Sequence, residues 1–273
     1  MNSSNPSSLE DYTKIIMGIS TSINLVMGLP TNVYVLWLIV SGASGTMALE
    51  FFALNLAVSE MLFCSSNVLH LVNIYVPSLN IYSFVAFSSG LLTLGRPLFQ
   101  TCICLERYLA VVHPVVFLRY KPLRYRLGCC VVLWAVIITS CCISMLYGKN
   151  QRFLFRIYLA EYLFFLSINL FFGLSVLRAL KQPKPGEGGG VEKERDRGSD
   201  IKMKAFKIIL LILVSMMIYY LPWIVLVTAS ELSKDIVLGD AGIVCFSITV
   251  VTGFVQPLLY LHRTGRLPCI RGL

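Results

Sequence analysis

The chain has 273 residues, a mean hydropathy of +0.75, 56% hydrophobic residues and only 14% charged ones. Those proportions exclude a soluble globular domain and a disordered chain, and they fit a protein that lives in a bilayer. The formal charge of +9 is explained by basic residues gathered on one side of a membrane, so anionic lipid is the expected partner and nucleic acid is not.

The first stretch, MNSSNPSSLEDYTK (residues 1–14), is polar and has no basic segment leading into a short apolar core. It is expected to remain as an uncleaved extracellular segment, with the first apolar run acting as the insertion signal. Asn2 opens the sequon NSS there, whereas NPS at Asn5 is blocked by its proline. A helix needs about 20 apolar residues to cross the hydrocarbon core. Runs of suitable length occur at 15–40, 48–75, 81–110, 127–147, 154–180, 205–230 and 237–261, here spans 1 to 7. The short alternating segments of a membrane barrel are absent. The expected class is therefore an all-α integral membrane protein, a seven-helix bundle over residues 15–262 with no second folded domain.

An odd number of spans puts the two termini on opposite sides. Arg119, Lys121, Arg124 and Arg126 follow span 3, and a second basic group runs from Lys181 to Lys207, while the loops of the other side hold few cations. That bias places the N-terminus outside and the short tail, 263–273, in the cytoplasm. The connection after span 5 is rich in Pro, Gly and mixed charge without apolar periodicity, so residues 182–200 read as disordered. No internal repeat relates the two halves, which weighs against a transporter.

Five short motifs stand in order along the spans. They are GLPTN in span 1, LNLAVSE in span 2, CLERYLAVVHP closing span 3, YYLPW in span 6 and QPLLY in span 7, with a lone Trp134 in span 4. As an ordered set they resemble the rhodopsin-like (class A) G-protein-coupled receptors across nearly the whole chain. The tone of ERYLAVVHP leans toward the branch with purinergic, chemokine, protease-activated and lipid receptors.

The resemblance implies roles for single residues. Asn32 matches the polar anchor of span 1, and Glu60 stands where the family usually has Asp. Arg107, between Glu106 and Tyr108, matches the arginine that leaves its acidic neighbour when the inner face opens for a Gα C-terminal helix. Lys204 and Lys207 lie beside it at the inner end of span 6, where no acidic residue is available to lock it. Pro222 removes a backbone hydrogen bond and kinks span 6. Pro257 and Tyr260 match the span 7 switch, with Gln256 replacing the usual Asn or Asp. Tyr220 stands where the family commonly has Trp beside the ligand pocket, and for Tyr220 and Trp223 core packing competes evenly with switching.

Arg96 needs a separate explanation, because a charge within a membrane span is costly. It lies eleven residues above Arg107, about 16 Å from the inner boundary, and Glu60 lies about 18 Å into span 2. The opposite charges share a level, so an Arg96–Glu60 ion pair is expected. In the family that place helps hold sodium, and here the guanidinium would replace the ion.

The ligand is less legible. Arg152 and Arg156 form a small basic group with Lys149 near the outer end of span 5, which suits an anionic ligand or plain interface anchoring. The family's disulfide from span 3 to the second outer loop has no cysteine to make it, since Tyr82 stands at that place. The pairs at 129–130 and 141–142 lack acidic or His neighbours, so packing outweighs metal binding. Cys269 in the tail is a candidate for palmitoylation. No cofactor, metal or catalytic constellation appears. The reading is a plasma-membrane receptor that carries an extracellular ligand signal to a heterotrimeric G protein, the alternatives being a non-signalling decoy or heteromer partner and a transporter or channel.

Overall fold

The computed structural model describes residues 6–42, 50–76, 81–120, 122–148, 150–181, 192–232 and 238–264. Seven helical runs appear among them, close to the expected positions. Span 1 is Pro6–Ile23 and Leu29–Val40 joined by a π-helical turn, Asn24–Gly28, and span 2 is Phe51–Tyr75. Span 3 is Tyr82–Gly90 and Arg96–Val112 joined by a second π turn, Leu91–Gly95. Span 4 is Leu123–Tyr147, span 5 is Gln151–Lys181, and span 6 is Glu192–Leu232. Span 7 is Leu238–Val251 and Val255–Arg263, with a 3₁₀ turn at Thr252–Phe254.

Six of these runs are long and apolar enough to cross a membrane among the described residues, and span 3 is the exception. Its Arg96, Pro97, Gln100 and Ser-Gly steps dilute the apolar character that an outer helix needs. The packing explains how that is tolerated: span 3 leans on spans 2, 4 and 5 at once, while the others close a ring 1–2, 5–6, 6–7 and 7–1 around it. Facing protein, span 3 can carry polar groups. The outward faces are instead apolar, with Val26, Val131, Val132 and Leu146 each more than 60% exposed, as a lipid solvent demands.

Two departures from the expected elements have physical causes. Residues 182–191 lie outside the described residues, but 192–200, expected to be disordered, continue span 6 as helix. Glu, Lys and Arg are good helix formers, and extending an existing helix avoids the cost of nucleation. A short helix, Pro114–Tyr120, also forms in the second inner loop. It starts after His113 breaks span 3 with φ −130° and ψ 65°, outside the helical region that a following proline disfavours.

The irregular turns track the prolines. Pro30 and Pro97 each sit just after a π turn in the sequence pattern Gly-x-Pro. A proline offers no N–H to the carbonyl four residues back and its ring presses on that carbonyl, so the preceding turn widens. Close packing adds a steric rule at Gly90, where a side-chain carbon would come within 2.6 Å of the Cys141 backbone. Spans 3 and 4 can approach that closely only because Gly90 has no side chain.

Candidate functional site

The π turn Leu91–Gly95 delivers Arg96 into the centre of the bundle, where it is 3% exposed. Its Nε donates to Glu60 Oε1 at 2.5 Å and its Nη2 to Glu60 Oε2 at 2.8 Å, giving the two-pronged geometry that suits guanidinium and carboxylate. The pairing expected from depth is thus present. Arg96 Nη1 then donates to Thr249 O at 3.1 Å and Thr252 Oγ1 at 3.3 Å on span 7. The guanidinium also lies 4.8 Å from the centre of the Tyr219 ring of span 6, a favourable cation–π placement. One residue of span 3 therefore touches spans 2, 6 and 7.

Span 1 joins through the other π turn. Asn24, fully buried, donates to Val250 O at 2.8 Å and accepts from Asn67 Nδ2 at 3.0 Å. Gly253 makes room for this junction: a side-chain carbon there would sit 2.8 Å from Arg96 Nη2 and 3.0 Å from Asn24 Nδ2. Asn24, Thr249, Thr252 and Gly253 do not stand out in the sequence. Amides, hydroxyls and glycines are common in membrane helices, and which of them meet depends on how spans 1, 2 and 7 pack.

Toward the inside, Asn32 is buried and donates to Gly28 O at 2.9 Å. It shares the wall of a cavity of about 70 Å³ with Glu106, Arg107, Gln256, Pro257 and Tyr260. Six of the expected switch and coupling residues are thus brought to one place. That volume holds a few water molecules and is too small for a helix. Glu106 Oε1 accepts from Arg126 Nη2 of span 4 at 2.6 Å. The acidic neighbour of Arg107 is therefore also engaged across to span 4, a partner that the motifs do not indicate. Tyr108 hydrogen-bonds with His113 at 3.2 Å and packs on Phe172 at 5.2 Å. Lys207 is exposed; the Lys204 side chain, Asn2 and Cys269 lie outside the described residues.

Toward the outside lies a second cavity of about 260 Å³, walled by Tyr82, His70, Ser89, Tyr158, Trp223 and Phe246 among others. Of the four residues expected at a ligand pocket, Trp223 lines it and donates from Nε1 to Thr249 Oγ1 at 2.7 Å. Tyr220 is fully buried below, edge-on to Tyr219 and Tyr162 at 4.9 Å and 5.7 Å, and its hydroxyl makes no hydrogen bond. Arg152 and Arg156 are exposed side chains outside the cavity wall. The loop from span 4 to span 5 is only residues 148–150, closed by a turn from Asn150 N to Tyr147 O at 2.8 Å. Tyr82, at the place of the family's cysteine, packs its hydroxyl against Gly148 at the top of span 4. All cysteines among the described residues are free thiols.

The sequence model of the family described as "7 transmembrane receptor (rhodopsin family)" matches residues 31–260. Similar curated proteins include the G-protein coupled receptor 183 of Rattus norvegicus, 25% identical over 46% of this chain and 37% of its own length. The proteinase-activated receptor 3 of Rattus norvegicus is 28% identical over 46% of this chain and 35% of its own length. A purinoceptor of Gallus gallus, purinoceptor 3, is 24% identical over 52% and 45% respectively. The chain thus matches less than half the length of each of these relatives. The family match and the apolar helices make it a multi-pass protein of the plasma membrane. With its ordered motifs, its bundle and the match across most of its length, the chain belongs to the rhodopsin family of seven-transmembrane receptors.

Proposed function

We propose that this receptor converts ligand binding in the outer cavity into guanine-nucleotide exchange on a heterotrimeric G protein. The carrying observation is the inner cavity: Arg107 and the span 7 residues Gln256, Pro257 and Tyr260 border one small space beneath the Arg96 junction. Swinging the inner half of span 6 about Pro222 would enlarge that space into a groove for a Gα C-terminal helix. The relatives named as G-protein coupled receptor, proteinase-activated receptor and purinoceptor support the same reading.

The path between the two cavities is short. Trp223 lines the outer cavity and bonds to Thr249, whose carbonyl accepts from Arg96, which holds Glu60. A ligand that displaces Trp223 would pull on the junction through Thr249, adjoining the 3₁₀ turn at Thr252–Phe254. The outer cavity suits a largely apolar ligand carrying a hydrogen-bonding group for Ser89, Ser144 or Tyr158. No carboxylate among the described residues lines it, so an amine ligand would find no counter-charge there.

The test is binding of immobilised Gα C-terminal peptides to the purified receptor in lipid nanodiscs. Selective capture by one Gα class, lost in Arg107→Ala with thermal stability unchanged, supports the assignment. Capture that is the same with Arg107→Ala contradicts it.

A further inference from the structure

Spans 4 and 5 barely touch each other, both leaning on span 3. The gap between them is a groove of about 450 Å³ on the lipid-facing side, floored by Leu94. Glu161 of span 5 lines it, ten residues or about 15 Å below the start of that helix. Its Oε2 is enclosed by protein and makes no hydrogen bond. A carboxylate without a partner at that depth is costly, and such a group marks a binding site when a complementary charge can reach it.

The groove has a polarity gradient along span 4. Its outer half offers Thr139, Ser140 and Ser144, with Tyr158 and Glu161 opposite, and its inner half is Val131, Val132, Ala135 and Val136, about 8 Å of apolar wall. That order fits an amphiphile whose head lies toward the outer end and whose chain runs toward the bilayer centre. The Tyr158 to Ser144 hydrogen bond of 2.9 Å separates the groove from the outer cavity, since both residues line both spaces. Entry is therefore lateral, from lipid.

We propose that this groove binds a single-chain aliphatic amine dissolved in the bilayer, its ammonium group donating to Glu161. The ammonium supplies the charge opposite to the Glu161 carboxylate at the groove wall, which a neutral alcohol does not. Contact with Tyr158 lets the groove's occupancy alter the neighbouring outer cavity.

The probe is hexadecylamine carrying a photoreactive diazirine in its chain, used on the full chain in lipid nanodiscs. Labelling is expected on spans 4 and 5, competed by hexadecylamine and not by hexadecanol. Glu161→Gln is expected to weaken competition by about tenfold or more. Ala135→Phe, a substitution on an exposed lipid-facing position that fills the chain's path, is expected to abolish labelling while leaving thermal unfolding unchanged. It keeps the test decisive where Glu161→Gln fails to fold. Labelling unaffected by Ala135→Phe, full competition by hexadecanol, or labels placed on the Trp223 and Phe246 wall would overturn the proposal.

Discussion

The Arg96 guanidinium grips both oxygens of Glu60, and its remaining nitrogen reaches Thr249 and Thr252. Spans 2, 3 and 7 are thereby held at one buried point. Losing one partner leaves an uncompensated charge, which costs about 3–5 kcal/mol. Arg96→Met and Glu60→Gln should each sharply lower the folded receptor at the cell surface. The double variant should recover a large part of it, because neither charge remains. Flow cytometry of an N-terminal epitope measures this, and equal losses in all three variants would argue against a coupled pair.

The same geometry leaves no place for a bound sodium ion beside Glu60. Both carboxylate oxygens are already occupied by the guanidinium, so a cation would have to displace a charge-assisted bond. Thermal unfolding of the purified receptor should be the same in sodium chloride and in choline chloride at equal ionic strength. A stabilisation specific to sodium would show that the guanidinium does not take the ion's place.

Gly253 fixes how closely span 7 approaches the junction. Gly253→Ala would place a carbon 2.8 Å from Arg96 Nη2 and 3.0 Å from Asn24 Nδ2, and neither group can move without breaking its bonds. Overpacking of this kind costs about 1–3 kcal/mol. Gly242→Ala, with nothing within 4 Å, serves as the control that gains helix propensity without overpacking. The melting temperatures of the two variants check the expectation, and indistinguishable values would refute it.

Trp223 and Thr249 should act as one unit. Trp223→Phe keeps an aromatic ring and loses the 2.7 Å bond to Thr249 Oγ1, and Thr249→Val loses the same bond from the other side. Each should shift agonist-independent nucleotide exchange in the same direction. The double variant should match either single one, as expected for a shared interaction. Additive shifts would show that the two residues act separately.

Much of this is legible in the sequence, for identifiable reasons. The spans follow from apolar length, and the Arg96–Glu60 pair from counting residues along two helices of known rise. Arg107, Gln256, Pro257 and Tyr260 meet at the inner cavity as their motifs suggest. The contribution of Asn24 and Thr249 is hidden because amides and hydroxyls are common in helices, and the π turns Asn24–Gly28 and Leu91–Gly95 leave no mark in the apolar pattern. The pattern Gly-x-Pro at 28–30 and 95–97 is the available signal for those turns. Glu106 bonding to Arg126 is also invisible, since it depends on how span 4 leans on span 3. Residues 192–200 mislead for another reason: composition alone suggests disorder, while the helix of span 6 extends into them.

The coupling role of Arg107 is open to one decisive measurement, agonist-independent nucleotide exchange across a panel of Gα subunits, comparing the intact receptor with Arg107→Ala at matched surface density. Measurable exchange on one Gα class that disappears in the variant is the expected result. Exchange that persists undiminished without Arg107 would refute the proposed coupling.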